Sequence, residues 1–246
     1  MDAYDGFAEV YDLFMDNVPY GEWAERIVKR LKEFDIEEGL VAELGCGTGK
    51  MTRLLSKAGF DMIGIDNSVE MLGKARENTP DESVLYHCQD MREFELYGTV
   101  RAIVSVCDCM NYITDEDDLL TVFKLAWNYL DFDGPFIFDM LTPHKYRDIM
   151  GDNVFAESRE DAAFIWENEF DGDEELNYYG LTLFVRDGEK FDRLYEEHVQ
   201  RAYEPKMVAE LLEKAGLKDI SVIDEATGGP VTDETERAVF TAFKRK

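Results

Sequence analysis

The feature that most constrains this chain is a glycine-rich turn between a short apolar run and a helical segment. Residues 41–52 read VAELGCGTGKMT, with Gly45, Gly47 and Gly49 at alternating positions. Alternating glycines remove side chains where a bound molecule would lie against the backbone. Free N–H groups at the start of the next helix favour a ligand with negative charge or a carboxylate. The pattern predicts a strand, a ligand-binding turn and a helix in succession.

Apolar runs and amphipathic segments alternate along the first 141 residues. The predicted strands are 40–44, 60–66, 84–88, 100–107 and 136–141. The predicted helices are 2–15, 19–34, 50–58, 68–78 and 115–130. Strands separated by helices imply right-handed crossovers and a parallel sheet. The acidic run at 115–118 is interpreted as a complement to the dipole of the helix that it opens.

The pattern changes after residue 141. Strand-like runs at 163–170, 176–185 and 191–199 follow one another with acidic or glycine-rich turns between them, which predicts an antiparallel meander. A helix at 206–215 and strands at 217–224 and 237–243 end the chain. We therefore predict one α/β domain formed by residues 1–141 and 204–246, with an antiparallel β insert at 142–203 over the substrate cleft.

The charge balance argues against some classes of partner. The chain has 54 acidic and 26 basic residues and a formal net charge of −28. Nucleic acids and anionic membranes need clustered Lys and Arg to replace their counterions. The composition suits a small cationic or neutral partner, although the charge can also serve solubility alone. We expect no nucleic-acid and no membrane partner, and a homodimer is compatible with the sequence.

Cysteine and histidine patterns bear on compartment and metals. No apolar run is long enough to span a bilayer, and no N-terminal stretch joins basic residues to an apolar run, so we expect a cytoplasmic protein. Four cysteines without CxxC spacing predict reduced structural thiols. Three scattered histidines without a ligand motif predict that the protein has no metal site.

Two familiar phosphate-binding motifs do not fit the turn. A dinucleotide-binding turn has its last glycine three residues after the second, and here Lys50 stands three residues after Gly47. The phosphate loop G-x-x-x-x-G-K-[ST] requires Ser or Thr after the lysine, where this chain has Met51. A ligand other than a pyrophosphate is therefore indicated.

The turn resembles the first motif of class I S-adenosylmethionine-dependent methyltransferases, in which an acidic residue stands two before G-x-G-x-G. Glu43 and the three glycines supply that motif. The resemblance covers residues 40–141 and the last helix and two strands. It implies a Rossmann-like, mostly parallel seven-stranded sheet with helices on both faces and an antiparallel last strand. It also implies that S-adenosyl-L-methionine is the cofactor and that the protein is an enzyme.

The same resemblance implies roles for residues at successive strand ends. Asp66 would accept both ribose hydroxyls, although a helix cap is an alternative reading. Asp90 would meet the adenine amino group while Met91 covers the ring. The implied cofactor-binding residues are Tyr11, Glu43, Gly45, Cys46, Gly47, Gly49, Asp66, Asn67, Met71, Asp90, Met91, Cys107 and Asp108.

The insert resembles those of small-molecule methyltransferases, among them the amino-sugar N-methyltransferases. The N-terminal stretch with Tyr4, Tyr11 and Tyr20 is similar to segments that fold over the cofactor in such proteins. The implied reaction moves a methyl group to a nitrogen or oxygen of a small soluble substrate. A protein or tRNA substrate and a non-catalytic S-adenosylmethionine-binding module remain the alternatives.

No motif identifies a catalytic base. Methyl transfer needs an in-line displacement, and a base is required only when the nucleophile loses a proton. The candidates are His198 and Tyr112, with Asp139 as a further possibility, and a packed histidine is the alternative reading for His198. Tyr178 and Tyr179 are adjacent on a strand, so at most one of them faces the cleft.

Overall fold

The computed structural model describes residues 8–80 and 83–246, so the predicted site residue Tyr4 lies outside the described residues. The described α-helices are α1 (Ala8–Phe14), α2 (Tyr20–Glu33), α3 (Lys50–Lys57), α4 (Val69–Glu77), α5 (Glu116–Tyr129) and α6 (Pro205–Lys214). The strands are β1 (Gly39–Leu44), β2 (Phe60–Asp66), β3 (Val84–Cys88), β4 (Ala102–Ser105), β5 (Pro135–Leu141), β6 (Val154–Ser158), β7 (Ala162–Asp171), β8 (Leu176–Asp187), β9 (Lys190–Arg201), β10 (Lys218–Asp224) and β11 (Arg237–Phe243). A 3₁₀ turn covers Cys109–Tyr112 and a π-helix covers Lys145–Met150.

Seven of the described strands form one sheet in the order β10–β11–β5–β4–β1–β2–β3. Neighbouring strands run parallel except for the two pairs that involve β11. Alternate residues of β1 face opposite sides: Val41 packs with α2 and α3, whereas Ala42 packs with α5 and α6. The predicted α/β fold, with helices on both faces and an antiparallel last strand, is confirmed.

Strand β4 is shorter than the predicted strand at 100–107. Val100 makes only an isolated bridge with Leu130, so regular pairing begins at Ala102. After Ser105 the chain leaves the extended conformation, and Cys107 and Asp108 have φ angles of 61° and 52°. These left-handed conformations turn the backbone sharply at the carboxyl end of the strand.

The insert contains a strand that the sequence pattern did not indicate. In the described residues, β6, β7, β8 and β9 form a separate antiparallel sheet in that order. β6 is the missed strand, because its side chains are mostly exposed and show no apolar alternation. Its strand conformation depends on pairing with the edge of β7, for example between Val154 and Glu167.

Helix α1 connects the insert with the rest of the molecule. The ring of Phe14 meets the edge of Phe164 on β7, with 4.9 Å between ring centroids. Phe14 also packs with Leu181 and Leu183 on β8. In the part of the chain that the structure describes, no helix is long and apolar enough to cross a membrane.

Candidate functional site

The three glycines of the turn have positive φ angles but different surroundings. The φ angles are 70° at Gly45, 52° at Gly47 and 73° at Gly49. A Cβ atom at Gly45 would lie 2.5 Å from the sulfur of Cys109, and one at Gly49 would overlap the hydroxyl of Tyr86. A Cβ at Gly47 would meet no atom within 4 Å. The outer glycines therefore allow close packing, and the middle one leaves open space for a ligand.

Asp66 ties the turn to the end of β2. One carboxylate oxygen accepts the N–H of Gly47 at 2.7 Å, and the other accepts the N–H of Ser68 at 2.9 Å. Burial raises the pKa of Asp66, and these two hydrogen bonds oppose the rise. Each carboxylate oxygen can accept a second hydrogen bond, so the group retains capacity for ligand hydroxyls.

Glu43 places a buried carboxyl group in the wall of the same space. Glu43 is 1% exposed, and the hydroxyl of Thr52 donates a hydrogen bond to its carboxyl group. Burial raises the pKa of Glu43 to about 8, and the neighbouring charge of Asp66 acts in the same direction. A positively charged ligand group beside Glu43 would offset the cost of ionising it. The buried carboxyl group of Glu43 therefore fits a ligand that carries an ammonium group.

These residues line one cavity at the carboxyl ends of β1 to β4, where open parallel sheets bind ligands. The predicted residues that line it are Tyr11, Glu43, Gly45, Cys46, Gly47, Asp66, Asn67, Met71, Asp90, Met91 and Cys107. Further lining residues are Tyr20, Thr48, Lys50, Met51, Ile65, Gln89, Arg92, Val106, Cys109, Tyr112 and Ile113. In the described residues, Gly49, Asp108 and His198 are outside this lining. The structure thus brings most of the predicted cofactor residues together.

Asp108 binds neighbouring protein groups. Its carboxylate accepts hydrogen bonds at 2.8 Å from both Arg237 and Gln200, and its own N–H donates to Asp139 at 3.0 Å. Arg237 also pairs with Asp139. Burial raises the pKa of Asp139, and the charge of Arg237 lowers it. Asp108 and Asp139 therefore hold the ends of β4, β5 and β11 together through Arg237.

Arg92 is a cavity residue that the sequence reasoning missed. Its guanidinium Nε lies 3.0 Å from each carboxylate oxygen of Asp90, and its backbone N–H donates to Asp90 at 2.8 Å. The hydrogen bonds from Arg92 lower the pKa of Asp90. The sequence signal for this contact is that Arg92 follows Asp90 by two residues. Arg92 orients the carboxylate that was predicted to meet an adenine amino group.

The N-terminal helix α1 covers the cavity from the other side. The hydroxyl oxygens of Tyr11 and Tyr20 are 3.4 Å apart, and the thiol of Cys107 donates to Tyr20 at 3.2 Å. Thr48, in the glycine turn, donates a hydrogen bond to Asp12 of α1 at 2.7 Å. Burial raises the pKa of Tyr11 well above its usual range, which keeps the phenol protonated. Sequence reasoning identified Tyr11 but missed the Asp12–Thr48 contact.

The two predicted catalytic residues come together where β9 of the insert meets the 3₁₀ turn. The hydroxyl of Tyr112 lies 3.2 Å from Nδ1 of His198 and 2.5 Å from the hydroxyl of Tyr179. On the far side of the imidazole, Nε2 lies 3.3 Å from a carboxylate oxygen of Glu196. Tyr178 is 40% exposed, so Tyr179 is the tyrosine of that pair that faces inward.

Comparison with known proteins identifies relatives over the full length of the chain. A family described as a methyltransferase domain matches residues 41–134. A Bacillus subtilis (strain 168) protein named as the methyltransferase YqeM is 34% identical over 246 residues, 99% of this chain and 98% of that protein. The crystal structure of a S-adenosylmethionine-dependent methyltransferase from Clostridium acetobutylicum ATCC 824 is 30% identical, covers 99% of both chains and superposes with a TM-score of 0.88.

A third relative is similar over about half of each chain. It is the dTDP-3-amino-3,4,6-trideoxy-alpha-D-glucopyranose N,N-dimethyltransferase of Streptomyces venezuelae. The two sequences are 31% identical over 114 residues, which are 46% of this chain and 47% of that protein.

Proposed function

The chain belongs to the class I S-adenosylmethionine-dependent methyltransferase family, and from this premise we propose that it methylates a nitrogen or oxygen of a small soluble acceptor. The protein is an enzyme and its cofactor is S-adenosylmethionine. The observation that carries the proposal is the single cavity in which the glycine turn, Glu43, Asp66 and Asp90 meet at consecutive strand ends.

The cavity residues divide between the parts of the cofactor in this proposal. Glu43 receives the ammonium charge, directly or through the backbone of the turn. Asp66 accepts the ribose hydroxyls with the lone pairs that Gly47 and Ser68 leave available. Asp90 faces the adenine amino group, and Met71 and Met91 contact the ring. Bound S-adenosylmethionine supplies a methyl group that its sulfonium activates.

We place the acceptor in the same cavity, whose lining also includes Tyr11, Tyr20, Cys107, Tyr112 and Ile113. In-line displacement needs the acceptor atom held at the methyl group with water excluded, and positioning supplies much of the rate. We propose that Tyr112 or His198 takes the proton that an acceptor loses.

A small amine is the favoured acceptor. The net charge of −28 attracts cations and repels polyanions such as tRNA. One relative is named for the N,N-dimethylation of an amino sugar, and it matches 114 residues of this chain. We also propose a cytoplasmic location, because all four cysteines are free thiols, as expected in a reducing compartment.

Calorimetry with S-adenosylmethionine and S-adenosylhomocysteine tests the cofactor site. We expect wild-type protein to bind both, and Asp66→Ala to bind about 10- to 100-fold more weakly, since hydrogen bonds to a charged group are lost. Asp61→Ala is the matched control, because Asp61 lies exposed at the other end of β2. Failure of the wild-type protein to bind either compound at high micromolar concentration would refute the proposal.

Labelled methyl transfer tests the acceptor class. The enzyme is incubated with methyl-labelled S-adenosylmethionine and a bacterial extract separated into small molecules, protein and RNA. We expect label in the small-molecule fraction. Label confined to material that acid precipitates would instead establish a macromolecular acceptor.

A further inference from the structure

A buried chain of hydrogen-bonding groups leads from the interior of the insert to the cofactor cavity. It runs from Glu196 through His198 to Tyr112, with separations of 3.3 Å and 3.2 Å. Glu196 is 4% exposed and His198 is 3% exposed, whereas Tyr112 lines the cavity. A buried carboxylate and imidazole in contact are costly to maintain unless each is partnered. Packing alone therefore does not account for this row of buried polar groups.

The backbone around Tyr112 holds this chain in place. The neighbouring Asn111 is fully buried, and its amide donates to the carbonyl of Leu141 at 3.1 Å and to that of Arg201 at 2.8 Å. Its amide oxygen accepts the N–H of Leu141 at 3.0 Å. The 3₁₀ turn is thereby fixed to the ends of β5 and β9, and β9 also carries Glu196 and His198.

The available protons assign a direction to the chain. Burial raises the pKa of Tyr179 well above its usual range, so Tyr179 keeps its proton and can donate it to the oxygen of Tyr112, 2.5 Å away. In that arrangement the proton of Tyr112 is available to Nδ1 of His198, 3.2 Å away. Because a neutral imidazole has one donor and one acceptor nitrogen, an Nδ1 that accepts from Tyr112 leaves the hydrogen on Nε2, the nitrogen 3.3 Å from a carboxylate oxygen of Glu196.

We propose that Tyr112, His198 and Glu196 form a proton relay for the acceptor, in which Tyr112 takes the proton and Glu196 is a positioning residue that acts through His198. This inference rests on the proposed methyl transfer. It names Glu196 as a functional residue, and it restricts the acceptor to a group that loses a proton when it is methylated.

The acceptor atom forms a bond to the methyl carbon while the carbon–sulfur bond breaks, and its electron pair stays on sulfur. The acceptor proton moves to the oxygen of Tyr112 as the phenolic proton of Tyr112 moves to Nδ1 of His198. The imidazolium that results is stabilised by the carboxylate of Glu196 until the proton leaves to solvent. Hydroxyl groups and primary or secondary amines meet this requirement, whereas tertiary amines and thioethers have no proton to lose.

The surroundings of His198 come from several elements. Glu196 approaches from β9, Tyr112 from the 3₁₀ turn and Tyr179 from β8, where its ring stacks on the imidazole with 4.5 Å between centroids. Asp108, at the end of β4, adds negative charge that acts on Tyr179. The imidazole is thus enclosed by side chains from three elements, with the carboxylate of Glu196 3.3 Å from Nε2.

Nitrogen-15 NMR of histidine-labelled protein tests the relay, with and without S-adenosylhomocysteine. A His198→Gln variant assigns the signals of His198. We expect wild-type His198 to carry its hydrogen on Nε2. Glu196→Gln should shift the Nε2 resonance of His198, because the carboxylate beside that nitrogen is replaced by an amide.

Two matched controls lie on the opposite face of the insert sheet. Glu197 neighbours Glu196 but is exposed, and we expect Glu197→Gln to leave the Nε2 resonance of His198 unchanged. Tyr112→Phe should alter the Nδ1 signal, whereas Tyr178→Phe, at an exposed tyrosine, should not. A hydrogen on Nδ1 of wild-type His198, or equal Nε2 resonances in Glu196→Gln and Glu197→Gln, would overturn the relay.

Kinetics connect the relay to catalysis. With labelled cofactor and a panel of primary amines and phenols, we expect Tyr112→Phe to lower kcat by about 10²- to 10⁴-fold at unchanged affinity for S-adenosylhomocysteine. Equal kcat in wild type and Tyr112→Phe would overturn the inference while leaving the proposed function intact. Loss of cofactor binding by the wild-type protein would instead refute the proposed function.

Discussion

Glu43 combines burial with a titratable group at the cofactor cavity. Its pKa of about 8 in the folded protein exceeds the ordinary value of 4.5, so between these pH values the folded chain holds a proton that the unfolded chain has released. The contribution of Glu43 to the free energy of unfolding is therefore complete below pH 4.5, and it is lost as the pH rises from 4.5 through 8. In the absence of cofactor, ionisation of this residue works against folding at neutral pH.

We predict that Glu43→Gln, which cannot ionise, loses less stability than wild type on passing from pH 5 to pH 8. The difference should be about 2 to 4 kcal/mol from the size of the pKa shift. Urea unfolding of the cofactor-free proteins across this range measures it. Glu70→Gln, at an exposed carboxylate in the first turn of α4, is the control and should follow wild type. Parallel pH profiles for Glu43→Gln and wild type would contradict the prediction.

Gly49 and Gly73 offer a matched pair of glycines. Gly49 has a φ of 73° and no room for a Cβ beside Tyr86, whereas Gly73 lies in α4 with open space around its Cβ position. We predict that Gly49→Ala lowers the free energy of unfolding by at least about 2 kcal/mol through left-handed strain and overlap. Gly73→Ala should raise it by about 0.5 to 1 kcal/mol. Equal effects in urea titrations would show that the turn tolerates a side chain.

At the scale of elements, α1 lies between the glycine turn and the insert. Asp12 accepts the hydrogen bond from Thr48, and Arg159, which precedes β7, donates to the carbonyl of Leu13 at 2.6 Å and pairs with Asp16. The Arg159 guanidinium also lies over the ring of Phe14, 5.5 Å from its centroid. The helix therefore contacts the cofactor turn through one face and the insert through the other.

We predict that Arg159→Ala speeds hydrogen exchange in α1 and weakens S-adenosylhomocysteine binding. The physical reason is that the helix loses its polar anchor to the insert, so local unfolding of α1 costs less free energy. Hydrogen-exchange mass spectrometry and calorimetry measure the two effects. Arg186→Ala serves as control, because Arg186 pairs with Asp161 within the insert. Unchanged exchange in α1 would show that Phe14 packing alone holds the helix.

At the scale of the whole molecule, the net charge of −28 makes the folded chain repel itself. Raising the salt concentration from 0.01 to 0.15 M shortens the screening length from about 30 Å to about 8 Å. We predict that Tm rises over this range at pH 7.5, by about 2 to 4 °C for each kcal/mol of repulsion relieved. The rise should shrink at pH 5, nearer the pI of about 4.3. A Tm that falls with salt at pH 7.5 would show that ion pairs outweigh repulsion.

Local sequence patterns were sufficient for most of the fold. Strand and helix periods depend on which face of each element is buried, and that information repeats every few residues. The alternation around Gly45 to Gly49 therefore predicted β1 and α3. The resemblance to the methyltransferase family then marked Asp66, at the end of β2, and Asp90, after β3, as cofactor residues. Parallel strands end at the same edge of a sheet, so residues at their ends could be expected near one another before the strand order was known.

Only the tertiary structure decided how side chains from distant segments pair. Asp108 binds Arg237, 129 residues away, and Tyr112 meets His198 across 86 residues. β6 forms because the edge of β7 is available for pairing. The sequence of residues 154–158 alone does not show that this partner is present. Periodicity states which way a side chain faces, but a hydrogen bond depends on atomic positions that the packing of separate elements sets. For that reason the chain by itself determined the cofactor half of the site, and the arrangement around Glu196, His198 and Tyr112 emerged only from the folded molecule.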